Sequence, residues 1–291
     1  MIMSKKEAFL KNKKILVTGA NGFIGRNVVA RLNSLCLGCV ALERAVFDIV
    51  EGDIDVIEQS DIVIHLAAYV HPVESWSNID KCLSVNVIGT KNILDYAVKN
   101  GADVLYVNTY VYGNPKELPI TEELQVSPNT PYAVSKLMGE DLCKFYSLYK
   151  GLNVTSLRLF NVYGDASNDI FLVSKIINQY KNGATEISVF SDNTFRDFVH
   201  VDDVIDAILS AIPNMESFQV FNIGSGKSYS SRDIFNTLNE LVSEKLTFSC
   251  TGEARINDVG DIVSDVTKAS DLLNWTPKIS LKEGVERALN E

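Results

Sequence analysis

Apolar positions along this chain follow two rhythms. Short continuous runs such as Ile15-Leu16-Val17 and Ile62-Val63-Ile64 read as buried strands. Apolar residues three and four apart, among them Leu83, Val87, Ile93, Leu94, Ala97 and Val98, read as a helix over 79–99, stopped at Gly101. In order, the pattern predicts a strand at 15–17, a helix from Arg26 to Leu32, and a second strand at 39–43. Residues 45–49 are expected as a third strand directly after the second, with no room for a crossover helix between them. A strand across 61–68, the 79–99 helix and a strand at 104–108 follow. Pro115, Pro119, Pro128 and Pro131 mark 113–131 as a loop before a helix at 132–149 and a strand at 154–160. This alternation predicts an α/β fold with a doubly wound parallel sheet.

Beyond Tyr163 the regularity loosens. Helices are expected at 170–180, 204–212 and 232–242, with a strand at 187–190 and one or two short helices after Asp265. Val220 to Ile223 is expected to return to the main sheet. The division is then a dinucleotide-binding domain over 1–163 and, interleaved with it, a smaller C-terminal substrate-binding domain over 164–291. No internal repeat or low-complexity linker is present.

Composition narrows the field. A hydrophobic fraction of 46% and a charged fraction of 22% are those of an ordinary globular protein. The net charge of −10 disfavours nucleic acid and anionic membrane as partners, so a phosphorylated ligand needs local cations. No run approaches the ~20 apolar residues that span a bilayer, and residues 1–12 lack the apolar core of a secretory signal, so a cytoplasmic protein is expected. Cys36, Cys39, Cys82, Cys143 and Cys250 are scattered, and Cys36-x-x-Cys39 has no second pair or nearby histidine. Reduced thiols are expected, and no metal site.

The stretch after the first strand carries chemistry. Gly19, Gly22 and Gly25 turn the chain into a helix whose N-terminus offers unpaired N–H groups, the arrangement of a dinucleotide pyrophosphate site. The spacing is G-x-x-G-x-x-G, and a structural turn is the bland alternative. Glu43, 18 residues beyond Gly25, stands where such folds place an acid on the ribose hydroxyls; Arg44 beside it suits a 2′-phosphate instead. The neighbours give opposite cofactor predictions, NAD from Glu43 and NADP from Arg44, with NAD preferred. Asp48, with Ile49 beside it, is favoured over Asp53 for the adenine edge. Tyr132 and Lys136 lie four apart on one helix face, a phenol beside a cation that lowers its pKa toward proton-transfer range.

With these residues in view the chain resembles an extended short-chain dehydrogenase/reductase of the NAD(P)-dependent nucleotide-sugar epimerase/dehydratase family. The matching stretches are Thr18–Gly25, His65–Ala68, Asn86–Thr90, Val111–Gly113, Tyr132–Lys136, Arg158–Gly164, Arg196–Asp203 and Phe221–Gly226. The resemblance implies that Tyr132 is the acid/base at the sugar oxygen and that Lys136 tunes it and binds the nicotinamide ribose. It implies that the loop with Gly19, Asn21, Gly22, Phe23, Ile24 and Gly25 cradles the pyrophosphate. Leu66, Ala67 and Ala68 then line the cofactor, and Asn86 sits near its nicotinamide end. Asn161 and Arg196 match positions on the substrate diphosphate, although Arg196 has Asp197 and Asp202 near it as alternative ion-pair partners. The resemblance implies that the loop carrying His71 and Ser75 faces the sugar, a solvated loop being the alternative. A homodimer through helices 79–99 and 132–149 is implied too.

Several departures shape the expected activity. The family's Ser or Thr three residues before Val-Tyr-Gly is Asn108 here, with Thr109 next to it. Thr109 is preferred as the catalytic hydroxyl, because it both donates and accepts. The 4,6-dehydratases carry Thr-Asp-Glu at this point, so Asn108-Thr109-Tyr110 argues against dehydration. The usual Arg-Pro-Gly-Asp near the C-terminus is Asp258-Val259-Gly260-Asp261, with Arg255 as the nearest substitute. The expected activity is hydride transfer at C4 of a nucleotide-activated hexose: a 4-ketosugar reductase ahead of a 4-epimerase. A non-catalytic NAD(P)-binding regulator is disfavoured by the intact Tyr132 and Lys136.

Overall fold

Residues 5–164, 171–252 and 259–290 are described by the computed structural model. A short helix α1 (Lys5–Leu10) leads to strand β1 (Ile15–Thr18), helix α2 (Phe23–Ser34) and strand β2 (Cys39–Leu42). Strand β3 (Ile62–His65) follows, then helix α3 (Ile79–Leu83), a π-helical segment Ser84–Gly89, and helix α4 (Thr90–Asn100). Strand β4 (Asp103–Thr109), helix α5 (Pro131–Lys150) and strand β5 (Val154–Leu159) complete the regular alternation. The chain continues through β6 (Asn161–Tyr163), α6 (Leu172–Lys181), β7 (Glu186–Val189), β8 (Arg196–His200) and α7 (Val201–Ala211). Last come β9 (Phe218–Ile223), β10 (Ser228–Tyr229), α8 (Ser231–Leu241), β11 (Thr247–Cys250), α9 (Thr267–Leu273) and α10 (Leu281–Asn290).

Six parallel strands form the main sheet in the order β2-β1-β3-β4-β5-β9. The order reverses at β1, and the crevice beyond the strand ends there is where such sheets bind ligands. The apolar runs are buried on both faces because helices cover both. Val28 and Leu32 of α2 pack with Val204, Ile205 and Ile208 of α7 on one side. Ile93, Leu94 and Ala97 of α4 pack with Cys143 and Tyr146 of α5 on the other. A third cluster joins α6, α8 and α10 around Ile187 and Phe198. Strand β9 closes one edge of the sheet, as the apolar run at 220–223 predicts.

The strand expected at 45–49 does not form. Val46 and Phe47 donate backbone bonds to the Glu43 carbonyl, closing a turn, and β2 is left as the edge strand. Phe47 and Ile49 are buried against the α4 side of the sheet while Val46 is exposed. Their hydrophobicity therefore seals the end of the sheet rather than adding a strand. The helix expected over 79–99 is present but carries the π-helical segment in its middle. Such insertions are frequent at functional positions. Strands β6, β8, β10 and β11 escape the sequence pattern, being only two to five residues long. The expected helix start at Ile170 lies outside the described residues, and the helix is seen from Leu172.

Candidate active site

Strand β1 ends at Thr18, and the chain turns through Gly19 with φ +67°, a conformation that favours glycine. A Cβ on Gly19 would stand 2.7 Å from the Ala67 backbone nitrogen, and one on Gly25 would collide with the Gly19 carbonyl. The backbone thus closes to a spacing no side chain tolerates. Helix α2 starts behind it with Gly22 as its N-cap, no side chain capping it and no acid in its first turn. Its first N–H groups therefore face open space, and a diphosphate fits there on charge and on room. The Thr18 hydroxyl accepts from the backbone N–H groups of Leu66 and Ala67, both at 3.2 Å, which pins the end of β3 to the loop. His65 lies behind this junction, 2.7 Å from Thr18 Oγ1 through Nδ1. Burial, reinforced by the nearby Lys136 charge, pushes its pKa down to about 3, so the ring is neutral.

One cleft of about 1340 Å³ runs across the strand ends. Single-ligand pockets span roughly 300–1,000 Å³, so this one has room for a dinucleotide and a second nucleotide together. Its wall includes Gly19, Asn21, Gly22, Phe23, Ile24 and Gly25 of the loop, then Leu66, Ala67 and Ala68. Arg44, Asp48 and Ile49 lie on the same wall, as do Thr109, Tyr132 and Lys136, and beyond them His71, Asn161 and Arg196.

Tyr132 enters through the start of α5, where Thr130 caps the helix by accepting from the Ala133 N–H at 3.1 Å and Pro131 occupies the first turn. Lys136 follows one turn later, buried, with its ammonium 4.1 Å from the centroid of the Tyr106 ring. Burial pushes the Lys136 pKa down to about 7. Burial, with a smaller contribution from the Cys82 thiol, pushes the Tyr132 phenol up rather than down. The phenol is thus held in its proton-donating form.

Asn108 and Thr109 part as strand neighbours do. Asn108 is almost fully buried, donates to Glu140 Oε2 at 2.7 Å through Nδ2, and accepts from the Thr109 N–H at 2.8 Å through Oδ1. Both touch the cleft wall, and Thr109 is the more open of the two, half-buried there. Thr109→Val keeps the volume and removes the hydroxyl. If that hydroxyl bonds the reacting oxygen, the cost is ~1–3 kcal/mol of transition-state stabilisation, or about one to two decades in kcat. Unchanged turnover in steady-state assays would take Thr109 out of the site.

Two expected cofactor residues stand elsewhere. Glu43 is off the cleft wall, and its carboxylate accepts from Asn21 Nδ2 at 2.7 Å, while exposed Arg44 faces the cleft. Asn86 is wholly buried behind the wall. Its Oδ1 accepts from the Tyr69 N–H at 2.7 Å and its Nδ2 donates to Ser135 Oγ at 2.8 Å, so it ties the post-β3 loop to α5. Ser75 is likewise buried, donating to the Pro72 carbonyl, and does not face the sugar region. His71 does lie on the wall, 3.8 Å from the Glu74 carboxylate.

The substrate end is framed by backbone. Asn161 Nδ2 donates to the Asp197 carbonyl at 3.2 Å, and Arg196 Nη1 donates to the carbonyls of Phe195 and Val259 at 2.8 and 2.7 Å. Asp197 turns the other way, its carboxylate accepting from Ser225, Gly226 and Ser264. Asp202 is bonded to Arg287 at 3.0 Å. Arg255 and Asp258 lie outside the described residues. Sequence reasoning missed Tyr69, Lys81, Phe171 and Phe190 on the cleft wall. Phe190 ends the expected 187–190 strand, but no spacing signals the others. Among the described residues, no helix is long and apolar enough to cross a membrane.

A parallel sheet with its glycine loop and Tyr–Lys pair on one cleft defines a Rossmann-type dinucleotide enzyme. A model of the NAD dependent epimerase/dehydratase family matches residues 15–224, and the chain belongs to that family. It is 33% identical to a putative UDP-glucose 4-epimerase of Methanocaldococcus jannaschii, covering 95% of this chain and 97% of that one. It is 30% identical to the GDP-6-deoxy-D-mannose reductase of Pseudomonas aeruginosa, covering 96% and 97%. The structure of RMD from Pseudomonas aeruginosa, complexed with NADPH, superimposes with a TM-score of 0.87 at 29% identity, covering 96% and 98%.

Proposed function

We propose that this chain reduces the C4 ketone of a nucleotide-activated hexose with NADH or NADPH, a step of deoxysugar or surface-polysaccharide synthesis. The observation that carries the reading is the meeting of Tyr132, Lys136 and Thr109 on the cleft wall that the glycine loop also lines. The α2 N-terminus and the Ala67–Ala68 stretch would hold the reduced dinucleotide, which would supply a hydride to C4. Tyr132 gives its proton to O4, and Thr109 hydrogen-bonds that oxygen. Lys136 holds the nicotinamide ribose, and Arg196 and Asn161 hold the sugar-nucleotide diphosphate. Neither Asn108, Thr109 nor Tyr110 supplies the acid pair that water loss needs.

The M. jannaschii relative favours 4-epimerisation as the second reading. One experiment separates the two. Purified protein is mixed with NADPH or NADH and a panel of UDP-, GDP- and dTDP-linked 4-keto-6-deoxyhexoses, and separately with UDP-glucose alone. A reductase oxidises cofactor in step with ketone consumed. Interconversion of UDP-glucose and UDP-galactose with no net cofactor consumption would overturn the reductase assignment.

Cofactor choice has its own expected result. NAD binds, and NADP is accepted through Arg44, because Glu43 is occupied by Asn21 while Arg44 faces the cleft. Arg44→Ala is expected to weaken NADPH binding about tenfold and NADH binding little, since an exposed charge-assisted bond is partly screened. Fluorescence titration of both cofactors checks this. An unchanged ratio would place Arg44 away from the 2′-position.

We infer a homodimer from the apolar stripe Val134, Met138, Phe145 and Tyr149, exposed along α5, with Val98 exposed on α4. A monomeric mass by light scattering would refute it.

A further inference from the structure

Strand β4 outruns its neighbour. Its pairing with β3 ends at His65 opposite Tyr106, whereas its pairing with β5 continues to Thr109 opposite Leu159. Backbone N–H groups alternate along a parallel strand. The Tyr110 N–H donates to the Leu159 carbonyl at 2.9 Å, toward β5, so the Thr109 N–H points to the side where β3 has already stopped. The Asn108 side chain fills that vacancy, its Oδ1 taking the Thr109 N–H at 2.8 Å. The other end of the amide meets Glu140. Burial works to raise this carboxyl, but the Arg158 guanidinium, with bonds from Ser156 and Asn108, holds its pKa below the ordinary range. An ionised carboxylate only accepts, so the amide has one orientation, nitrogen toward Glu140 and oxygen toward Thr109. Glu140 is the third member of a series, Tyr132, Lys136, Glu140, at intervals of four along one face of α5. The helix that carries the phenol is thereby tied to the strand end that carries the hydroxyl.

We propose that Asn108 is a positioning residue: clamped by Glu140, it holds the Thr109 backbone so that the Thr109 hydroxyl and the Tyr132 phenol meet the same substrate oxygen. This rests on the reading that Thr109 bonds that oxygen. The residue standing where relatives have the catalytic hydroxyl then acts through its neighbour.

The test is a double-mutant cycle of Asn108→Ala and Thr109→Val, assayed with NADPH and the same panel of 4-keto-6-deoxyhexose nucleotides. Asn108→Ala is compatible with folding, because Glu140 keeps Arg158 and Ser156 as donors; Asn108→Ser, too short to span both partners, serves as a second variant. Asn108→Ala is expected to lower kcat about tenfold with KM nearly unchanged, and the double mutant to be no slower than Thr109→Val alone. Thermal midpoints should instead fall roughly additively, which separates positioning from stability. Independent, multiplying losses in kcat would overturn the proposal while leaving the role of Thr109 intact. A silent Thr109→Val beside an inactive, folded Asn108→Ala would overturn both, and would assign direct contact to the amide. If Thr109→Val is slow but both Asn108 variants turn over normally, the clamp has no catalytic consequence and the proposal fails alone.

Discussion

Tyr132→Phe is expected to lower turnover by ~10²–10⁴-fold, the usual contribution of a positioned acid or base, with cofactor affinity nearly unchanged. The ring stays, and so do the Thr130 cap and the Ala133 N–H that fix the start of α5. Only the proton donor is lost. Removal of a group that acts only in the transition state should lower kcat and kcat/KM together. Binding of NADH and NADPH, followed by fluorescence, should then match the parent protein. Wild-type-like turnover would remove Tyr132 from the reaction and, with it, the case for an enzyme of the Tyr–Lys type.

The second large effect is on stability. Glu140 and Arg158 form an ion pair with side chains 5% and 8% exposed. Around it, Glu140 accepts from Ser156 and Asn108, both at 2.7 Å, and Arg158 donates to the Tyr112 hydroxyl at 2.7 Å. Tyr112 donates onward to Asn222 of β9. Glu140→Ala would strand a buried guanidinium, at a cost of about 3–5 kcal/mol. Against a total of about 5–15 kcal/mol, that is a large fraction. Urea unfolding should register it as a lowered midpoint, and a loss below about 1 kcal/mol would mean that water reaches the pair. Replacing both residues with apolar ones of similar size, Glu140→Leu with Arg158→Met, should recover much of the loss, because neither charge is then buried. The pH dependence has a definite sign. The folded Glu140 pKa lies below its unfolded value, so the contribution is complete above the ordinary glutamate range and is lost as the pH falls through the lowered value.

Much of the site was readable before folding because its instructions are local. Gly19, Gly22 and Gly25 act through backbone conformation and closeness within one turn, and Tyr132 and Lys136 share a helix face by spacing alone. The parallel sheet followed from apolar runs alternating with helical periods. The misreadings have a common cause. Ala45–Ile49 has the hydrophobicity of a strand, but Phe47 and Ile49 spend it against the α4 side of the sheet. Which groups the Asn86 amide meets, Tyr69 and Ser135, was likewise set by residues far off in sequence.

By itself, then, the sequence determined the alternation of the main-sheet strands and helices, the glycine turn after β1 and the placing of Tyr132 and Lys136 on one helix face, since each depends on neighbours within a few residues. Tertiary structure alone decided how adjacent side chains divide their work. Glu43 goes to Asn21 and Arg44 to the cleft; Asn108, though it touches the cleft wall, has its amide taken by Glu140, while Thr109 stands half-buried beside it. Tertiary structure also set the charge states, a neutral His65 and a raised Tyr132, because desolvation depends on what packs around a group. Residues next to each other in a chain share a backbone but not an environment, and the environment is assembled from segments that only the fold brings together.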